Sequence, residues 1–333
     1  MPEEHSLSYK TASEKNAHLF YRKFAGKIDR NWKVASYSSL VSGQFPDDEL
    51  PDHDAANITQ QRQTGNDIDF QSYFRQFERA DIPEKDDIFS FPKGAKAGIF
   101  FHDILEKLDF KEDVDKIRTS LVKVKLEEYG FDLKWNQTVC DMIKNLISTP
   151  LLTDGNDLIL SSVANADRIN EMEFYFPLKT VTGQNLCKIF SDYGGIHIPA
   201  DFPSRLEKLN FMPSEGFMKG YIDLIFHLNG KFYLVDWKSN FLGSQIEDYS
   251  KENIGQTMNK DLYILQYHIY LLATHQYLRR HIPQYEYESE FGGVFYIFLR
   301  GIDHSRGPNF GVYHDLPSPE LINALGKELI DHF

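Results

Sequence analysis

A chain of 333 residues with 41% hydrophobic and 14% aromatic content can bury a sizeable core, in one large domain or two smaller ones. Its two cysteines, Cys140 and Cys187, stand outside any CxxC, which excludes a disulfide scaffold, an all-cysteine zinc site and a four-cysteine iron–sulfur cluster. The net charge of −13 weighs against a DNA binder that works through its own basic field, and the chain has neither an apolar run of ~18 residues nor a signal-peptide start, so the cytoplasm is its default location.

The first elements are a short helical stretch, TASEKNAHLFYRKFAGKID, and then NWKVASYSSL. Residues 43–87 are polar, acidic and short of periodic apolar positions, the signature of a flexible linker. They are expected to separate an N-terminal piece, residues 1–42, from a main domain over 88–333. Residues 97–108 fit a helix, with Ile99, Leu105 and Leu108 at near-helical spacing, and residues 112–148 suggest more helices. EMEFYFPL, residues 171–178, alternates like a strand. Two further strands, Gly220–Leu228 and Lys231–Trp237, flank Asn229-Gly230, a strong hairpin signal. A long helix follows over 259–280, and then GGVFYIFLRG, apolar enough for a strand buried on both faces. This order predicts an α/β fold, a mixed central sheet flanked by helices. No GxxxxGK[ST] is present, so the chain is not a complete P-loop motor.

The hairpin spends charge where apolar residues would serve. Asp236 and Lys238 share a face at the end of the second strand, ~7 Å apart by strand rise. Tyr221, Asp223, Ile225 and His227 share a face of the first strand, and the turn brings Asp223 toward Asp236 if the inward faces match. Two close carboxylates repel, and burial makes this worse. A divalent cation between them resolves the conflict, and oxygen ligands suit Mg²⁺ or Mn²⁺. A lysine beside such a metal can orient water or stabilise charge on a phosphate, which assembles the parts needed for phosphodiester hydrolysis.

Asp223 followed by Asp236-Trp237-Lys238 resembles the PD-(D/E)xK nuclease superfamily. More closely, GYIDLIFHLNGKFYLVDWKSN resembles the C-terminal nuclease domain of RecB subunits of RecBCD helicase–nucleases (exodeoxyribonuclease V). FSFPKGAKAGIFFHDILEKLDF resembles the stretch that carries a metal-binding histidine there, LQYHIYLLA the Gln-x-x-x-Tyr motif, and WKVASYSSL the passage from helicase to linker. The resemblance covers most of the chain, and the combination is more specific than any one motif.

The resemblance implies a restriction-endonuclease-like fold and a Mg²⁺ site that Mn²⁺ or Ca²⁺ can also occupy. Its ligands would be His102, Asp223, Asp236 and the backbone carbonyl of Trp237, and Lys238 would act on the attacking water or the transition state. A strand carboxylate belongs nearby; Glu171 and Glu173 share a face, and Glu173 is the one favoured. Histidine must bind as neutral imidazole, so activity should fall at acidic pH. Tyr263, Gln266, Tyr267 and Tyr270 share a helical face, which puts Gln266 and Tyr270 at a DNA-contacting edge. Asp103 and Glu106 read as solvated or supporting residues. The implied partners are single-stranded DNA fed by a motor, RecC, RecD and RecA, with no ATP site here. In that setting an acidic chain is tolerable, and residues 1–42 would be the end of a helicase region. The alternative is a docking module for RecC and RecA with weak cleavage.

Overall fold

The computed structural model describes residues 32–41, 86–152, 158–209, 215–330 and 333. Among these, six strands form one mixed sheet: β1 (Trp32–Ala35), β2 (Arg168–Leu178), β3 (Glu215–Leu228), β4 (Lys231–Lys238), β5 (Phe291–Phe298) and β6 (Val312–Asp315). The helices that flank it include α1 (Tyr37–Val41), α2 (Ala95–Lys107), α3 (Asn136–Ser148), α4 (Gly183–Tyr193), α5 (Phe202–Glu207), α6 (Lys251–Lys260), α7 (Tyr263–His281) and α8 (Pro319–Leu329). None of the described helices is long and apolar enough to cross a membrane.

The Asn229-Gly230 turn forms as its residue types suggest. Both residues sit at positive φ, 52° and 77°, as a type I′ hairpin turn requires. All eight residues of β5 are buried, as its unbroken apolar run predicts. Val294, Tyr296 and Phe298 point into a core shared with α4, α5, α6, α7 and α8, whereas Phe295 and Ile297 point into a second core shared with α2 and α3. Helices therefore pack on both faces of the sheet.

The long strand β3 organises the site. One of its edges is paired with β2 from Gly216 to Phe226. The other edge pairs in parallel with β1 over Glu215–Met218, and antiparallel with β4 over Leu224–Leu228. Between these two partners, no strand among the described residues pairs with the second edge of β3 over Lys219–Asp223. β4 runs on past its last pairing with β3 and carries Asp236 and Lys238 along β5 instead. The two strands thus fork where their carboxylates lie.

Three expectations change. Residues 32–41 do not stand apart from the main domain, because β1 is a strand of its sheet; a four-residue parallel strand pairs with a segment far along the chain, which local pattern does not reveal. The long helix expected over 259–280 is α7, which begins only at Tyr263; residues 259–260 end α6, and Leu262 in the left-handed conformation (φ 58°) separates the two. Tyr37 fixes that break by donating from its hydroxyl to the Leu262 carbonyl at 2.6 Å. Strands β2 and β3 begin earlier than alternation suggested. Of the linker expected over 43–87, residues 43–85 lie outside the described residues, as do residues 1–31.

Candidate metal and catalytic site

His102 and Asp223 meet first. Helix α2 buries Phe100, Phe101, Ile104 and Leu105 in the second core, and His102 on the same helix is turned onto β3. Its Nδ1 lies 3.2 Å from Asp223 Oδ1, and both side chains are 6% exposed. The other Asp223 oxygen accepts a hydrogen bond of 2.6 Å from the backbone N–H of Trp237, so Asp223 bridges the fork to β4. Trp237 thus meets the site through its N–H.

The strand carboxylate that completes this group is Glu171. Ligand atoms of His102, Glu171 and Asp223 all lie within 4.8 Å of one another. Glu171 gets there through an irregularity in β2. Its φ is 48°, a left-handed backbone that a carboxylate residue adopts only when its surroundings hold it. The same irregularity marks the facing strand. Met218 and Ile222 of β3 belong to the first core, but Leu224 and Phe226 belong to the second, so the side of the sheet exchanges at Asp223. Such local breaks in a ladder re-aim side chains, often beside active sites.

Glu173, the favoured candidate of the two, is elsewhere. It is exposed, and its Oε1 accepts from Lys219 Nζ (2.7 Å), Tyr221 (2.8 Å) and Tyr175 (2.9 Å). Strict alternation treats Glu171 and Glu173 as equivalent; only the backbone kink separates them.

Asp236 and Lys238 form the second half of the site. Lys238 is 1% exposed. Its Nζ is 2.8 Å from Asp236 Oδ2 and donates to Gln266 Oε1 at 3.1 Å. The ammonium also sits over the rings of Tyr263 and Tyr296, 4.1 and 5.0 Å from their centroids. Gln266 is held in turn, accepting from Tyr296 at 2.9 Å and donating to Tyr270 at 3.1 Å. Gln266 and Tyr270 are 0% and 1% exposed, which corrects their expected place at a DNA-contacting edge. Their helical face is turned into the protein, where an amide is tolerable because each end finds a partner. Asp103, also singled out, pairs with Lys107 and Lys125 beside the site, and Glu106 is exposed.

No local pattern points to Arg300, which ties the site together from behind. Its buried guanidinium donates to the carbonyls of Ile88 (2.7 Å), Phe91 (2.9 Å) and Pro92 (2.7 Å), ahead of α2, and to Ser239 (3.2 Å), next to Lys238. The His102 helix and the Lys238 strand end are therefore fixed to one another.

The electrostatics favour a cation. Glu171, Asp223 and Asp236 bring three carboxylates to a largely buried place that holds one ammonium. Burial by itself would lower the His102 pKa, but the neighbouring Asp223, with help from Asp236 and Glu171, overcomes it and raises it to about 9. Burial works to raise Asp223, and the charge and hydrogen bond of His102 outweigh it and lower its pKa. One imidazole and two carboxylates within reach of a single point, with a third on the adjoining strand end, fit a divalent cation with a preference for oxygen ligands. A proton and a metal would compete for His102.

No family model matches the chain. It is 34% identical over 304 residues to RecBCD enzyme subunit RecB of Escherichia coli K12, covering 89% of this chain and 23% of that protein. With the same subunit of Haemophilus influenzae the identity is 31% over 338 residues, 97% of this chain and 26% of the relative. The Mycolicibacterium smegmatis subunit is 27% identical over 334 residues, 93% of this chain and 30% of its own length. The chain thus spans about a quarter of the length of the curated relatives it matches.

Proposed function

Because the chain belongs with the RecB subunits along about nine-tenths of its length, we propose that it is the metal-dependent nuclease part of such a subunit and hydrolyses phosphodiester bonds of DNA. The observation that carries this reading is the convergence of His102, Glu171 and Asp223 on one point, with Asp236 and Lys238 on the adjoining strand end. His102, Asp223, Glu171 and Asp236 would hold the ion, and Mg²⁺ is the physiological choice, with Mn²⁺ and Ca²⁺ able to substitute. A bound divalent ion polarises the phosphoryl oxygen and lowers the pKa of its water.

The remaining work falls to the chain itself. Asp236 and Gln266 hold the Lys238 ammonium at a fixed place beside the carboxylates. There it orients the attacking water or meets charge that develops on the phosphate, without reorganising during the reaction. The rings of Tyr263 and Tyr296 cover the ammonium and attract it through their faces, which helps to hold it in place. The substrate would be DNA handled in the cytoplasm during recombination and repair, with RecC, RecD and RecA as partners. A net charge of −13 suits a nuclease that receives strands from a motor.

The test is cleavage of 5′-labelled linear and of circular single-stranded DNA, in Mg²⁺ or EDTA, by the parent protein and Asp236→Ala. Cutting that needs metal and disappears in the variant is expected, and cutting of the circle would establish endonuclease capability. Equal cutting by parent and variant would overturn the assignment. A folded parent that never cuts, yet is retained by RecC or RecA, would favour the docking-module reading.

A further inference from the structure

Helix α2 covers only part of its side of the sheet. Its C-terminal end is fastened to the start of β2, where Arg168 Nη2 donates to the Leu108 carbonyl and Asn170 Nδ2 donates to the Glu106 carbonyl. The helix reaches as far as His102 on Asp223. Beyond that point the same side of the sheet continues as two cross-strand pairs, Glu173 with Tyr221 and Tyr175 with Lys219. Their alternate neighbours Met172, Phe174, Met218 and Ile222 are buried in the core on the opposite side. Tyr175 is 52% exposed, and Tyr221 and Lys219 are partly exposed. By strand rise, Tyr221 stands ~7 Å and Tyr175 ~13 Å from the carboxylate cluster.

We propose that this strip, which no described helix covers, is the track on which single-stranded DNA reaches the site, with Tyr221 and Tyr175 as stacking platforms for successive bases. The proposal rests on the nuclease reading for its substrate. The chemistry fits a single strand for three reasons. Base stacking on tyrosine needs unpaired bases, which a duplex does not offer. One Glu173 oxygen accepts from both hydroxyls and from Lys219, so the platform is held rigid. The Lys219–Glu173 pair also makes the strip neutral within an acidic chain, so phosphates can pass without repulsion. At Gly220 a Cβ would lie 2.5 Å from the ring of Phe174, so this glycine lets the strand lie flat against its partner between Lys219 and Tyr221.

The experiment measures binding of a fluorescein-labelled oligo-dT of about a dozen nucleotides in EDTA, by anisotropy. It compares the parent with Tyr175→Leu, Tyr175→Phe and Lys219→Gln, and adds unlabelled duplex as competitor. Thermal melting of each variant confirms that it is folded. Loss of one stacked base should weaken binding about five- to a hundredfold in Tyr175→Leu, with Tyr175→Phe within about twofold of the parent and the duplex a poor competitor. Because the strip is neutral, the salt dependence should be shallow. Equal affinity of parent and Tyr175→Leu would overturn the proposal, as would a parent that binds no single strand or prefers duplex. Cleavage assays on the same proteins separate the two readings. Tyr175-dependent binding without metal-dependent cutting keeps the track and sinks the nuclease; metal-dependent cutting with KM unchanged in Tyr175→Leu does the reverse.

Discussion

Helix α7 carries two buried polar groupings on adjacent residues, and they are built on opposite principles. Gln266 faces Lys238 and the crowded carboxylates of the fork. Tyr267 donates at 2.6 Å to Asp315 of β6, whose other oxygen accepts from the Leu316 N–H at 2.9 Å. Beside it His268 is fully buried, bonded through Nδ1 to the Ile264 carbonyl and stacked on Tyr267. At Asp315 a single carboxylate has a donor for each oxygen, and burial holds its histidine neighbour neutral, with a pKa lowered to about 4. At the fork the carboxylates outnumber the cations and the histidine is pushed to about 9. A buried carboxylate with a donor for each oxygen reads as architecture, whereas an excess of one charge reads as a place for something else to bind.

Substitution of the two aspartates should separate these roles most sharply. Asp223→Ala is expected to cost at least about a hundredfold in metal-dependent cleavage and to abolish the rise in melting temperature that Mn²⁺ gives the parent. Asp315→Ala should lower the melting temperature in EDTA while leaving that Mn²⁺ increment in place. Scanning calorimetry with and without metal reads both. A metal increment that survives Asp223→Ala would erase the distinction.

The next effect is one of pH. His268 has a folded pKa below its unfolded value, so the unfolded chain binds the extra proton. Its contribution is complete above pH ~6.5 and is lost as pH falls toward 4, on the order of 3 kcal/mol. Urea unfolding in EDTA should show this acid limb together with one of the same sign from His275, whose pKa burial also lowers to about 4, and His268→Phe should make it shallower even if stability at pH 7 also changes. His102 has the opposite sign: its folded pKa lies above 6.5, so its contribution is full below that pH and fades as pH rises through about 9. An acid limb left unchanged in His268→Phe would place the titrating group elsewhere.

Gln266→Leu comes third. It removes the acceptor of Lys238 and Tyr296 together and leaves the Tyr270 hydroxyl without the amide donor. A stability loss of about 1–3 kcal/mol is expected, with cleavage reduced through a misplaced ammonium and metal affinity little altered. Metal affinity that falls as far as it does in Asp223→Ala would mean that Gln266 belongs to the ion's surroundings.

Much of this architecture is legible in the residues because it is local. The Asn229-Gly230 hairpin, the apolar run of β5 and the helix that carries His102 each follow from a few neighbouring side chains. Asp223, Asp236 and Lys238 were visible as charges out of place in buried strands. What stayed hidden depends on distant partners. Periodicity finds the shared face of Gln266 and Tyr270 but not which way the helix is rolled, and a face of tyrosine and glutamine serves an interior as well as a DNA edge once each polar atom is matched. Arg300 has no local pattern at all, because its four acceptors come from two remote segments. Among the described residues the short strand β1 pairs only with β3, far along the chain.

Glu171 and Glu173 give the smallest and most exacting comparison, since two residues of one strand are asked to differ. Glu171→Gln removes one of the three groups that converge on a common point, and should weaken Mn²⁺ binding about tenfold by titration calorimetry, in line with loss of a metal-site carboxylate. Glu173 is exposed and shares its charge with Lys219 at the surface. Its pKa is lowered to about 2, first by the hydrogen bond from Lys219 and then by those from Tyr221 and Tyr175. Solvent screens that pair, so Glu173→Gln should change stability by no more than about 0.5–1 kcal/mol and metal affinity hardly at all. The amide can still accept from both hydroxyls, which leaves the tyrosines in place. If the two glutamines weaken the metal equally, the left-handed turn at Glu171 is not what selects the ligand, and the alternation of the strand was the better guide.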